Sequence, residues 1–262
     1  MAAAFDLLLK GGIVVTGQGL FSHDLAVRGE KIACVGPQIP ADVAGETLEV
    51  GRKYIFPGII DVHSHPLYED DFEATSLTAA WGGTTTLIHF AYAFPGQAVD
   101  EAIEKAISEG SRVSYLDFGL HLGLFQVEKQ YQGIPDAFRF GVRTFKMFMT
   151  YAKLGRFTSD YHMTASFDLI AQHGGMAMVH AENGLATDYL EDRFNREGIP
   201  AIDAFTRVRP AALEEEAIHR AIAIAEICRC PIYIPHVSCG RGLEPIARAR
   251  ARGQKVHADP PG

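Results

Sequence analysis

The sequence predicts an α/β fold. A parallel sheet with helical crossovers follows a small N-terminal β segment, and either a (β/α)8 TIM-type barrel or a doubly wound sheet would satisfy the pattern. Two observations carry this. From Ile55 onward, short β-branched or aromatic runs recur, each followed by a helical pattern. Before Ile55, short runs instead alternate apolar and polar residues between Gly-rich turns. The expected division is 1–55, a β-sandwich segment, and 56–262, a barrel.

The N-terminal runs are Phe5 to Val15, Asp24 to Val27, Lys31 to Val35 and Thr47 to Ile55, which read as antiparallel strands. Three or four such strands with one apolar face need a partner sheet, and segment 1–55 holds none. The later runs are 55–62, 84–91, 117–124, 144–149, 176–181, 232–237 and 254–258, giving seven strands. Helices are expected at Asp100 to Ser111 and at Ala212 to Cys228, the latter with Leu213, Ala217, Ile218, Ala221, Ile224 and Ala225 on one face. Runs such as Thr86-Leu87-Ile88 suit a sheet covered on both faces.

The composition excludes several functions. With 24 Lys and Arg against 32 Asp and Glu, the net charge of −8 draws the chain to neither nucleic acid nor anionic lipid. No basic stripe is present either. Apolar stretches such as Ile13 to Val15 fall far short of the roughly 20 residues that span a bilayer. Residues 1–12 place Asp6 in a short apolar run without a basic start, so no secretory signal is expected and a cytoplasmic location is. Cys34, Cys228, Cys230 and Cys239 form no Cys-x-x-Cys pair and read as reduced thiols in packing roles.

In parallel barrels chemistry sits at the C-terminal ends of the strands, so the end of each run is informative. The first ends in Asp61-Val62-His63-Ser64-His65, where positions i and i+2 share a face and aim two imidazoles at one point. Among 262 residues with 11 His, roughly half a His-x-His is expected by chance, so the pair alone is weak. Run four places Lys146 in an apolar strand, where a buried ammonium costs several kcal/mol unless it is neutralised, paired or modified. Runs five and six end in His180 and His236. Coincidence of these residues at one relative depth on strands one, four, five and six argues against accident.

These motifs resemble those of the cyclic amidohydrolases, the hydantoinase and dihydropyrimidinase group. The resemblance lies in Pro57-Gly58-Ile59-Ile60-Asp61-Val62-His63-Ser64-His65, Asp70-Asp71-Phe72-Glu73, Gly82-Gly83-Thr84-Thr85-Thr86, Phe145-Lys146-Met147-Phe148-Met149-Thr150-Tyr151, Val179-His180-Ala181-Glu182-Asn183-Gly184 and His236-Val237-Ser238. It implies a (β/α)8 barrel joined to a β-sandwich built by both chain ends, usually assembled as a homotetramer. It also implies two divalent metal ions, commonly zinc, bridged by Lys146 after carbon dioxide has carboxylated its Nζ. His63 and His65 would hold one ion, and His180 and His236 the other. A hydroxide between the ions would attack the amide of a cyclic amide or imide such as a hydantoin or dihydropyrimidine, with Tyr151 donating to the oxyanion.

His121 is expected inside the barrel without a ligand role, and His89, where relatives often carry Asp, is expected to pack. His23, His162, His173, His219 and His257 receive no role. The group's strand-eight Asp, a metal ligand and general base, has no counterpart, and Asp259 is a poor substitute for it. The sequence therefore reads as a C-terminally truncated enzyme of this group, the competing reading being a noncatalytic scaffold relative. Leu67 stands where dihydroorotases carry a carboxylate-binding Arg, and the loop between His65 and Asp70 is short, so ring-substituent preference does not carry over.

Overall fold

A computed structural model describes residues 3–66 and 70–261 of the chain, so Leu67 and its neighbours in the short loop lie outside the described residues. The chain divides into two compact units, Met1–Ile59 and Ile60–Gly262.

The first unit holds β1 (Phe5–Lys10), β2 (Ile13–Thr16), β3 (Gly19–Ser22), β4 (Asp24–Arg28), β5 (Lys31–Gly36), β6 (Ala44–Glu49) and β7 (Tyr54–Ile55). They form two small sheets, ordered β5-β4-β1-β6 and β3-β2-β7. Adjacent hairpins are antiparallel as expected, but β6 runs parallel to β1 and β7 parallel to β2. Alternation reveals strands but not the direction of partners distant in sequence, and here the excursion through β2 to β5 returns β6 along β1 in the same sense. Leu8, Ala26 and Ile39 form the buried centre.

Asp24 pins this unit. Its carboxylate is buried and accepts from the backbone N–H of Gly11 and of Ile39, each at 2.8 Å, with Lys10 Nζ at 3.5 Å. Burial pushes the carboxyl up, but these donors outweigh it and hold its pKa below the usual 3.8. The contribution of a depressed carboxylate is present above its unfolded pKa and lost as pH falls through the lower folded value. Asp24→Asn, which turns one acceptor into a donor facing an N–H, is expected to lower stability by about 1–3 kcal/mol at pH 7. In urea melts the difference from wild type should shrink toward pH 3, and an undiminished difference there would contradict the ionic account.

The second unit holds β8 (Ile59–Ser64), β9 (Thr84–Ala93), β10 (Asp117–Leu124), β11 (Thr144–Phe148), β12 (Met176–His180), β13 (Ile232–Ile234) and β14 (Val256–Ala258). They lie side by side in chain order in one seven-stranded sheet, and the pairings from β9 through β14 are parallel. The connecting helices are α1 (Phe72–Trp81), α2 (Val99–Val113), α3 (Val127–Gln130), α4 (Ile134–Ala137), α5 (Asp160–Gln172), α6 (Gly184–Arg196), α7 (Ala201–Val208), α8 (Ala211–Ile227) and α9 (Gly240–Ala251). The sheet is curled. Five inter-strand steps separate β8 from β13, about 24 Å if flat. Yet the rings of His63 on β8 and His236 just beyond β13 lie 5.5 Å apart.

Strand alternation sorts side chains into two cores. Outward residues such as Ala91, Leu122, Met147 and Val179 pack on the helices, including Ile103 of α2 and Ile218 and Ala221 of α8. Inward residues Phe90, Tyr92, Phe125, Phe148 and Met178 form an aromatic lining. Among the described residues, no helix is long and apolar enough to cross a membrane. Strand β13 stops earlier than the expected 232–237 because Pro235 offers no N–H and His236 adopts a left-handed φ of 47°. Strand β8 begins later than 55, after Pro57-Gly58.

Candidate active site

The curled sheet brings His63, His65, Lys146, His180, His236 and Tyr151 to one end of its interior. His65, Lys146, Tyr151, His180 and His236 line a cavity of about 390 Å3, together with Tyr92, Phe148 and Arg156. A larger cavity of about 700 Å3 shares Tyr151, His180 and His236 and extends toward Arg209 and Ser238. The imidazoles fall into two close pairs, His63 with His65 at 4.8 Å between centroids and His180 with His236 at 4.7 Å. His63 links the pairs through His236, and Tyr151 lies 5.3 Å from His180.

Each group is held from its own element. The N–H of His63 donates to Asp61 Oδ1 at 3.0 Å, while its Nε2 is buried without a hydrogen-bond partner. His65 stacks on Phe90 and meets Tyr92 Oη through Nδ1 at 2.8 Å. If Nδ1 carries the proton and donates to Tyr92, Nε2 is the unprotonated nitrogen, the usual arrangement for a ligating imidazole. His180 Nε2 lies 3.8 Å from Glu182, longer than a hydrogen bond, and Arg209 Nη1 donates to that same carboxylate. Burial pushes Glu182 up, but His180 and Arg209 hold it below the usual carboxylate range.

Two of the four non-glycine residues with positive φ among those described line this cavity, Tyr151 at 65° and His236 at 47°. Such conformations cost of order 1–3 kcal/mol each and persist where surrounding bonds impose them. For His236 the restraint is Asp259, whose Oδ1 accepts from the N–H of His236 and whose carbonyl accepts from that of Val237, both at 2.8 Å. Asp259 is thus a strap on a candidate ligand loop, a role its position in the sequence does not suggest. Its one readable sign is its place as the first polar residue after β14.

Lys146 is 2% exposed between the aromatic faces of Phe90 and Phe148, with Nζ 5.9 and 5.7 Å from their centroids. Burial pushes its pKa down to about 7, opposed only by Asp259. Burial, then the Lys146 charge and neighbouring imidazoles, brings His63 to about 2, His236 to about 3 and His65 to about 4. These three imidazoles are therefore neutral at pH 7, the form that binds metals.

Among the described residues, no three His, Cys, Asp or Glu side chains stand close enough to hold one ion. The expected set puts only two imidazoles on each ion and adds a modified Lys146 and the strand-eight Asp that has no counterpart here, so among imidazoles two pairs rather than a triad are what it requires. The donors present suit two ions on that count: two imidazole pairs, an orphaned His63 Nε2, and a buried amine lining one cavity with His65, His180 and His236.

The other histidines occupy distinct places. His121 Nε2 reaches the Val62 carbonyl at 2.8 Å and must donate there, so in a neutral ring Nδ1 accepts from Thr144 Oγ1. His89 faces outward from β9 against Phe72, 4.2 Å away, and both its nitrogens are buried without partners. Cys228 and Cys239 donate to two separate carbonyls, those of Thr164 and Ala211.

No family model matches the chain. It is 36% identical to a D-hydantoinase of Rhizobium radiobacter over 97% of its own length and 56% of that relative's. With a dihydropyrimidinase of Arabidopsis thaliana it shares 32% identity over 97% of its length and 49% of the relative's. A solved D-hydantoinase structure superposes with a TM-score of 0.91 at 34% identity, covering 97% of this chain and 57% of that one. The chain is thus similar to hydantoinases and dihydropyrimidinases throughout, and spans about half the length of these relatives.

Proposed function

We propose that this site, within the whole protein, opens the ring of a cyclic amide or imide, such as a hydantoin or dihydropyrimidine, by hydrolysis. The observation that carries the reading is the pair of imidazole pairs around buried Lys146 at the C-terminal ends of parallel strands. Relatives named hydantoinase and dihydropyrimidinase support it.

His63 and His65 would hold one divalent ion, His180 and His236 the other, and Lys146 would bridge them as its N6-carboxylated form. Zinc is one of the metals that imidazole ligands suit. Carboxylation requires a free amine, and burial favours it by pushing the Lys146 pKa down to about 7. The lone pair of Nζ attacks carbon dioxide, a proton leaves, and the product carries a negative charge where an ammonium stood. When bound, the ions supply Lewis acidity and lower the pKa of water toward 7, so that a nucleophile exists at neutral pH.

Tyr151 is held in the left-handed region at the cavity wall, and its hydroxyl would donate to the oxygen on which negative charge develops. Tyr151→Phe is expected to lower kcat by about 10²- to 10³-fold with little change in thermal midpoint. An unchanged kcat would remove Tyr151 from this role. Homotetrameric assembly and a cytoplasmic location belong to the same reading by resemblance, and sedimentation tests the first.

The decisive test is metal removal. Treatment with a chelator should abolish ring opening of hydantoin or dihydrouracil, and zinc or manganese should restore it. Ring opening indifferent to the chelator would overturn the reading.

A further inference from the structure

We propose that Arg156 makes this a site for rings that carry a carboxylate on their exocyclic substituent. The inference rests on the reading of the cavity as a cyclic-amide site and names its substrate class. Arg156 lines the same cavity as Lys146, Tyr151, His180 and His236, and among the described residues no Asp or Glu shares that lining. Its guanidinium lies 4.1 Å over the ring of Phe125, which stacks in turn on Tyr92 at 4.7 Å. Stacking occupies the face of a guanidinium and leaves the N–H groups at its rim to be satisfied elsewhere.

Among the described residues, seven of the fourteen arginines of this unit meet carboxylates. Arg209 pairs with Glu182 and Glu191, Arg220 with Asp160 and Glu216, and Arg241 with Glu215. Arg156 has no ion pair among the described residues, although it stands at the wall of a cavity otherwise lined by aromatic rings, imidazoles and an amine. A fixed cation in such a place presents a fork of donors matched to a carboxylate.

The backbone that carries it is also fixed in advance. The residue sits on the short segment after β11, where Arg156 N–H donates to the Tyr151 carbonyl at 3.1 Å and Thr158 N–H to the Phe148 carbonyl at 2.8 Å. Gly155 supplies the left-handed turn before it, at φ 68°. Little backbone freedom is then lost when the guanidinium meets its anion. The ring would lie toward the imidazole pairs and Tyr151, with its acidic substituent toward Phe125 and Arg156. A neutral ring would fill the same cavity and leave the guanidinium unanswered.

The test compares hydantoin-5-acetic acid with its neutral counterpart, hydantoin-5-acetamide, on the zinc-loaded full chain, by calorimetry and by ring-opening KM. A charge-assisted pair predicts that the acid binds about 10- to 100-fold tighter than the amide. That ratio should shrink with added salt, collapse toward one in Arg156→Gln, and survive in part in Arg156→Lys. A ratio near one in the wild type, or one unchanged in Arg156→Gln, overturns the inference while amide binding leaves the cyclic-amide reading standing. If neither ring binds nor opens, the cyclic-amide reading itself fails and this inference falls with it. Should Arg156→Gln fail to fold, the wild-type ratio and its salt dependence decide the matter alone.

Discussion

Replacing Lys146 by Met is expected to abolish ring opening and at the same time to raise the thermal midpoint. The two effects have separate causes. Lys146 is 2% exposed beside Phe90 and Phe148, in the cavity that His65, His180 and His236 also line, and burial has already brought its pKa from 10.5 to about 7. Folding the unmodified, metal-free chain therefore carries a desolvation penalty, which Met, of similar length and without a charge, removes. A gain of about 1–4 kcal/mol is the range seen when buried charged groups are replaced by apolar ones of similar volume. Activity moves the other way. On the proposed reading no carbamate would form without an amine, the imidazole pairs would lose their common bridge, and the several kcal/mol of charge stabilisation that ions supply would be forfeited, about 10³-fold or more in rate. Metal content by atomic absorption should fall together with activity. A Lys146→Met protein that is less stable in its metal-free form would show that the ammonium is well solvated or paired, against the burial argument. One that keeps stoichiometric metal and full activity would remove Lys146 from the bridging position.

The expectations that held and those that did not divide along a physical line. Helices α2 and α8 were legible because their apolar residues repeat within one segment, as Val99, Ala102 and Ile103 do. His63 and His65 were legible because a two-residue spacing fixes a shared face whatever the rest of the chain does. The parallel pairing of β1 with β6 was not, since register between distant strands is set by the sheet as a whole and leaves no mark on either strand. Asp259 and His236 are 23 residues apart, Glu182 and Arg209 are 27 apart, and Arg156 meets Phe125 across a full β-strand crossover. Each of these contacts depends on how neighbouring strands and their connections assemble. The sequence also says nothing of the left-handed backbone at Tyr151 and His236, neither of which is Gly or Asn. Local pattern thus identifies the groups that could do chemistry, whereas the groups that hold them become visible only once the strands are assembled.

Gly123 is such a holding position, and Gly123→Ala should impair the site without touching any residue that carries chemistry. On β10, Gly123 lies opposite Tyr92 of β9, and a Cβ there would stand 2.3 Å from Tyr92 Cδ1 and 2.4 Å from Cε1. A flexible side chain could swing away cheaply. Tyr92 cannot, because its ring is stacked between Phe90 at 5.4 Å and Phe125 at 4.7 Å, while its hydroxyl meets His65 Nδ1 at 2.8 Å. The added methyl must therefore move the aromatic column or part β9 from β10, an overpacking that costs about 1–3 kcal/mol of stability. Displacement of Tyr92 also frees His65 to rotate, and loss of such an outer partner lowers metal affinity or activity by about 10- to 100-fold. Zinc affinity from chelator competition separates the two routes when Gly123→Ala is combined with Tyr92→Phe. If the glycine acts through the Tyr92 hydroxyl, the double variant binds zinc about as weakly as Tyr92→Phe alone, because the same contact cannot be lost twice. Fully additive losses would mean that Gly123 supports the site by another path, through the spacing of the strands that carry His65 and Lys146.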